Sequence, residues 1–133
     1  MAIYELCIDI GSNYTTIYKR GSGIVLREPS LLLLETVGKN MKVNKIGIEA
    51  HRVSGKISSS EVFVKPVIEG VIKNVELTKK MVSYFIGKVV SFKLIKPTIK
   101  IIVSLPTSLN QQQYEDYNKI VEAYLKDYTE LEE

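Results

Sequence analysis

The sequence predicts an α/β domain in which a mixed sheet, begun by a β-meander, is completed by a helix, a strand and a second helix, with a small subdomain inserted between. Three observations predict it. The first forty residues are short apolar, β-branched runs separated by glycine and proline. Two later segments repeat apolar residues every three or four positions, the period of an amphipathic helix. Between those segments lies one nearly continuous apolar run, the mark of a buried strand. Strands first and alternation afterwards is the pattern of an α/β domain.

Taken in order, Ile3 to Ile10 is mostly apolar and β-branched and predicts a buried central strand. Thr15 to Lys19 predicts a second strand. Gly21-Ser22-Gly23 is a turn signal before Ile24-Val25-Leu26, which completes a hairpin. Pro29 has no N–H to donate and interrupts the ladder. Ser30 to Thr36, with its four leucines, suits helix or strand by composition, and its place in the meander favours strand. Val43 to Ile48 predicts a short strand, Glu49 to Ser54 one or two helical turns closed by Gly55, and Val62 to Val64 another apolar segment. Leu77, Met81, Phe85 and Val89 mark the first long helix. Thr98 to Leu105 is the later strand. Asn110 predicts the cap of the last helix, where Tyr114, Tyr117, Val121, Tyr124, Leu125 and Tyr128 form a core-facing stripe with wet phenol tips.

Composition excludes several classes. A chain of 133 residues suits one domain, and 45% hydrophobic with 25% charged residues is the balance of a globular domain and not of a disordered tail. No run of eighteen apolar residues exists to span a bilayer, and the first residues lack the pattern of a signal peptide. The net charge of +3 comes without a Lys/Arg stripe interleaved with aromatics, so no nucleic-acid partner is expected. The lone Cys7 cannot form an internal disulfide; it suits a reducing cytoplasm and is expected to be a small buried hydrophobe. With one histidine, His51, distant from that cysteine and expected on the surface, no zinc-type site is predicted.

The chemistry is concentrated in Asp9-Ile10-Gly11-Ser12-Asn13-Tyr14-Thr15, between the first two strands. Gly11 allows a tight turn and close approach of the backbone to a ligand. The N–H groups of Ser12, Asn13 and Tyr14 can form a nest for phosphate oxygens. Asp9 would repel phosphate alone, but suits holding the water shell of Mg²⁺. A short Gly-Ser turn is also common where no ligand binds.

The context narrows the choice. A strand, D-x-G-[ST]-x-x-[ST] and a second strand resemble the first phosphate loop of the actin, hexokinase and heat-shock-chaperone superfamily. Gly23-Ile24-Val25-Leu26-Arg27-Glu28-Pro29-Ser30 then resembles the G-I-V-L-x-E-P-S segment of MreB-type bacterial actin homologues. Gly47-Ile48-Glu49-Ala50, Lys65-Pro66, Glu69-Gly70-Val71-Ile72, Thr78, Met81, Phe85-Ile86 and Val103-Ser104-Leu105-Pro106 extend the likeness in order, from residue 3 to about 125. The short segment between Thr36 and Val43 is unlike the chaperone and pilus-assembly branches.

The resemblance implies the N-terminal half of an actin-like (ribonuclease H-like) fold, with 1–35 and 65–133 as the larger subdomain and 36–64 as the small insertion. It implies ATP and Mg²⁺ as cofactors, with Gly11, Ser12, Asn13 and Tyr14 lining the triphosphate and Asp9 facing the metal. Where these homologues have Ala-Asn, this chain has Asn13-Tyr14, and Tyr14 is bulky for the turn. The family's water-activating Glu aligns with Gln113, an amide that can orient a water but cannot act as a general base. Leu94 and Ile95, flanked by Lys93 and Lys96, resemble the apolar pair with which these proteins touch the membrane; the same pair could instead cover the core's edge. The function implied is a cytoskeletal filament protein organising bacterial cell shape and wall synthesis. It would lie in the cytoplasm, peripherally on the inner membrane face, with its own copies and cell-wall elongation proteins as partners. The second phosphate loop and the base-reading segments are expected beyond residue 133, so the chain alone is expected to turn over little or no ATP. The alternative is a truncated, non-enzymatic actin-like adaptor or filament cap that has lost nucleotide turnover.

Overall fold

The computed structural model describes residues 3–56, 58–90 and 98–129. Along the chain run β1 (Ile3–Ile10), β2 (Tyr14–Lys19), β3 (Gly23–Pro29), β4 (Leu32–Val37), β5 (Asn40–Ile46), α1 (Ile48–Arg52), β6 (Glu61–Val64), β7 (Val67–Ile68), β8 (Val71–Ile72), α2 (Val75–Val89), β9 (Thr98–Ser104) and α3 (Gln111–Thr129). The first sheet has the order β3-β2-β1-β9. β1 is antiparallel to β2, and parallel to β9. The mixed sheet predicted from sequence is therefore present. It is completed by the strand that follows α2, as parallel strands require a crossover connection.

β4 forms as a strand but does not extend the meander on β3. It is the centre of a second sheet, β5-β4-β6. The reason lies in Pro29 to Leu31. Pro29 ends β3, Ser30 donates its N–H to the Asn13 carbonyl at 2.9 Å, and Leu31 donates to Pro29 at 2.9 Å, which bends the chain away from the first sheet. A hairpin not read from sequence, β7–β8, turns at Glu69 and Gly70. Both have positive φ (50° and 78°), the conformation of a two-residue turn matched to strand twist.

Glu28 ties the second sheet to the first. Its carboxylate accepts the Ile48 N–H at 3.0 Å and the Lys88 ammonium at 2.6 Å, joining β3 to the starts of α1 and the end of α2. Gly47 is required at this crossing. Its φ is 69°, and a Cβ there would lie 2.5 Å from Glu28 Oε1 and 2.7 Å from the Phe85 ring.

The main core lies on one side of the first sheet. Leu6, Ile8 and Ile10 of β1, Ile17 of β2 and Leu26 of β3 are buried with Met81, Phe85 and Ile86 of α2 and Tyr117 and Ile120 of α3. Among the described residues, no helix covers the other side. Ile24, Tyr18, Cys7 and Ile102 are paired in register across all four strands and form an apolar row with Ile102 68% exposed. Cys7 is consequently half-buried, not the fully buried hydrophobe expected, because alternate residues of β1 face the side that no described helix covers. It lines a hollow of about 360 Å³ with Tyr18, Lys100 and Ile102.

Candidate phosphate-binding site

The β1–β2 turn is tight because Gly11 donates its N–H to the Tyr14 carbonyl at 3.0 Å. A Cβ on Gly11 would sit 2.5 Å from that carbonyl oxygen, so only glycine closes this turn. Asn13 anchors it twice. Its carbonyl accepts from Ser30 N–H, and its side-chain oxygen accepts from the Lys65 ammonium at 2.9 Å. Beneath, the buried hydroxyls of Thr15 and Ser30 are 2.8 Å apart. Among the described residues, the N–H groups of Ser12 and Asn13 have no protein acceptor. Two adjacent free donors on a glycine turn are the elements of an anion nest.

Beside the turn lies a cleft of about 310 Å³ lined by Asp9, Ile10, Gly11, Ser12, Gly70, Ser104, Leu105 and Pro106. Its floor is the carboxyl ends of the parallel pair β1 and β9, where Asp9 and Ser104 stand side by side in register. Open α/β sheets bind ligands outside the carboxyl ends of their strands. Tyr117 of α3 reaches the rim and donates its hydroxyl to the Gly70 carbonyl at 2.8 Å. Burial raises the pKa of this phenol above its ordinary value, and the nearby Asp9 carboxylate adds to the rise. Gly70, Ser104 and Tyr117 were not read as site residues from sequence. The only signal was their place in the hairpin turn, at the end of the later strand and in the tyrosine stripe.

Gln113 lies in the first turn of α3. Its N–H donates to Asn110 Oδ1 at 2.8 Å, and its own Oε1 accepts the Asn110 N–H at 3.0 Å, a reciprocal capping box. It stands one helical turn before Tyr117 and so shares that residue's face. Asp9, Gly11 and Ser12 come together in the cleft. The side chains of Asn13 and Tyr14 do not: they line a neighbouring hollow on the other side of the turn. The Tyr14 ring is 46% exposed and lies against the Arg27 guanidinium, 4.1 Å from ring centroid to carbon. The bulk expected to crowd the turn is thus directed away from the cleft. Leu94 and Ile95 fall outside the described residues.

With this geometry in place, comparison with known proteins is decisive. Residues 3–124 match the family model described as MreB/Mbl protein. The chain belongs to the MreB/Mbl family. It is 35% identical over 109 residues to the cell shape-determining protein MreB of Haemophilus influenzae, covering 80% of this chain and 31% of that protein. It is 36% identical over 107 residues to the cell shape-determining protein Mbl of Bacillus subtilis, covering 79% of this chain and 31% of that protein. The chain therefore spans about a third of the length of these MreB/Mbl relatives. In fold it resembles MreB5 of Spiroplasma citri bound to ADP, with a TM-score of 0.74 at 21% identity over 90% of this chain and 35% of that one. It also resembles the MamK double helical filament, with a TM-score of 0.70 at 14% identity over 91% of this chain and 38% of that one. The predicted α/β, actin-like architecture is thereby established for this MreB/Mbl chain. Among the described residues no helix is long and apolar enough to cross a membrane.

Proposed function

We propose that this MreB/Mbl chain supplies one wall of the ATP site of an actin-like cytoskeletal filament protein acting in bacterial cell shape and wall-synthesis organisation. The observation that carries the reading is the Gly11 turn: among the described residues the Ser12 and Asn13 N–H groups have no protein acceptor, and Ser12 lines the cleft with Asp9 at the carboxyl ends of β1 and β9. The cradle fits a phosphate group. A Cβ at Gly11 would abolish the turn, and the free donors point to an anion where no side-chain cation lines the cleft.

In this reading Ser12 and Asn13 hold phosphate oxygens through the backbone, and Asp9 holds the water shell of Mg²⁺. ATP supplies the phosphoryl chemistry, and Mg²⁺ neutralises its charge when bound. Gln113, fixed by its cap on the face of α3 that carries Tyr117, orients a water through its amide and takes no proton from it. Tyr14 contributes backbone only. The larger subdomain, residues 1–35 and 65–133, holds the phosphate turn, and residues 36–64 form the small subdomain. The two separate sheets support a two-part division of this kind, although β4 (Leu32–Val37) enters the second sheet before residue 36. Self-association into filaments is the expected assembly, in the cytoplasm and on the inner membrane face. The Leu94-Ile95 pair is the proposed membrane contact, and cell-wall elongation proteins are the proposed partners. The likeness to a MamK filament supports the assembly by fold.

Isothermal titration of the chain with Mg·ATP, repeated with Asp9→Ala, tests the reading. Binding that is lost in the variant supports it. No binding, either by the chain or after a C-terminal MreB half is supplied, would leave a non-enzymatic actin-like module.

A further inference from the structure

We propose that the hollow on the far side of the phosphate turn is a second anion site, taking a small ligand with a phosphate-type dianion. The hollow is about 610 Å³ and shares no lining residue with the Asp9 cleft. Its charged and titratable wall is Tyr14 from β2, Arg27 from β3, His51 from α1 and Lys65 from the segment after β6; no carboxylate lines it. The acids nearby are committed elsewhere, Glu28 to Ile48 N–H and Lys88, and Glu49 to Arg52 at 2.6 Å. Among the described residues neither Arg27 nor Lys65 forms an ion pair.

Both cations are held in place without being neutralised. The Tyr14 ring fixes the Arg27 guanidinium through a cation–π contact, which leaves its hydrogen-bond donors unused. Asn13 Oδ1 takes one donor of the Lys65 ammonium and leaves two. Three donor groups lining one hollow from β3, α1 and the segment after β6 suit the divergent oxygens of a tetrahedral anion. A planar carboxylate would be satisfied by the Arg27 fork alone. Asn13 and Tyr14, the two positions at which the chain departs from the family's loop, are the residues that hold Lys65 and Arg27.

The single histidine makes the test specific, because any imidazole Hε1 resonance can come only from His51. Inorganic pyrophosphate is titrated into the intact chain in low-salt buffer freed of divalent cations, at fixed pH. The expected result is a saturable shift of the His51 signal that malonate does not reproduce. Arg27→Gln and Lys65→Gln, both at exposed positions, should each weaken the response about tenfold or more. Arg27→Lys should retain most of it. No shift, a shift untouched by both glutamine variants, or an equal response to malonate would overturn the proposal. The readout needs neither Mg²⁺ nor ATP, so Mg·ATP titrations that fail both with and without a C-terminal MreB half, alongside a responsive His51, would remove the nucleotide reading and leave this site standing.

Discussion

The Tyr117 hydroxyl donates to the Gly70 carbonyl across 2.8 Å, joining α3 to the β7–β8 turn at the rim of the Asp9 cleft. Tyr117 is 1% exposed, so Tyr117→Phe removes the hydrogen bond and leaves the ring packing intact. The orphaned carbonyl should cost about 1 kcal/mol. Thermal denaturation would show a midpoint a few degrees lower, and hydrogen exchange at residues 68–72 should rise more than in β1.

The same phenol sets an alkaline limit. Its pKa is raised in the folded chain, by burial first and by Asp9 second. The folded state therefore keeps the proton at a pH where the unfolded chain has lost it. Stability from this group is complete below the unfolded value near 10.0 and is lost as pH rises through the raised folded value. Asp9→Asn should bring the phenol's pKa down without returning it to 10.0, since burial remains. Tyrosine-selective NMR titration of the two proteins would measure the difference.

Gly11→Ala should disrupt the turn more than a usual surface glycine replacement. The new Cβ would meet backbone, not a yielding side chain, at 2.5 Å. A loss of roughly 2 kcal/mol or more is expected. In the proposed reading, Mg·ATP binding vanishes with it, even in protein that circular dichroism shows to be folded.

Glu28→Ala should be among the most damaging single changes outside the apolar core. It strips the Ile48 N–H and the Lys88 ammonium of their shared acceptor, and Glu28 is only 12% exposed. A loss of about 2 kcal/mol is expected from two lost charge-assisted hydrogen bonds, since the freed Lys88 ammonium can reach water. Lys88→Met should cost clearly less, because the carboxylate keeps the Ile48 N–H. Urea denaturation of both variants would establish the order.

Gln113→Glu keeps the capping geometry and adds a negative charge in the first turn of α3, where no acid now lies. Stability should rise by about 0.5 kcal/mol. In the proposed reading, the variant supplied with a second MreB half should also hydrolyse ATP faster than the glutamine form, because a carboxylate can take a proton from water. Equal turnover would remove Gln113 from the proposed role.

The hydrophobic period of α2, the burial of Tyr117 in α3, the β2–β3 hairpin and the cap at Asn110 were legible in the sequence, because each is set by residues within one turn or one strand of each other. The departure of β4 was not. Leu31 to Leu34 suit either sheet, and the decision is made by Ser30 bonding to Asn13, seventeen residues earlier in the chain. The site divides in the same way. Asp9, Gly11 and Ser12 could be read from one loop, whereas Gly70, Ser104 and Tyr117 join them only after β1 pairs with β9 and α3 packs beneath. The direction of the Tyr14 ring was also out of reach, since it depends on Arg27 of the neighbouring strand.

The bare row across the first sheet has a practical consequence. Its one sulfur, at Cys7, sits between Tyr18 and Ile102 on the face that no described helix shields. A maleimide dye would report through that single atom whether anything has settled over the strands. Rapid labelling would mean an open face. Labelling that slows as protein concentration rises, or as a second MreB segment is added, would time the closing of that face.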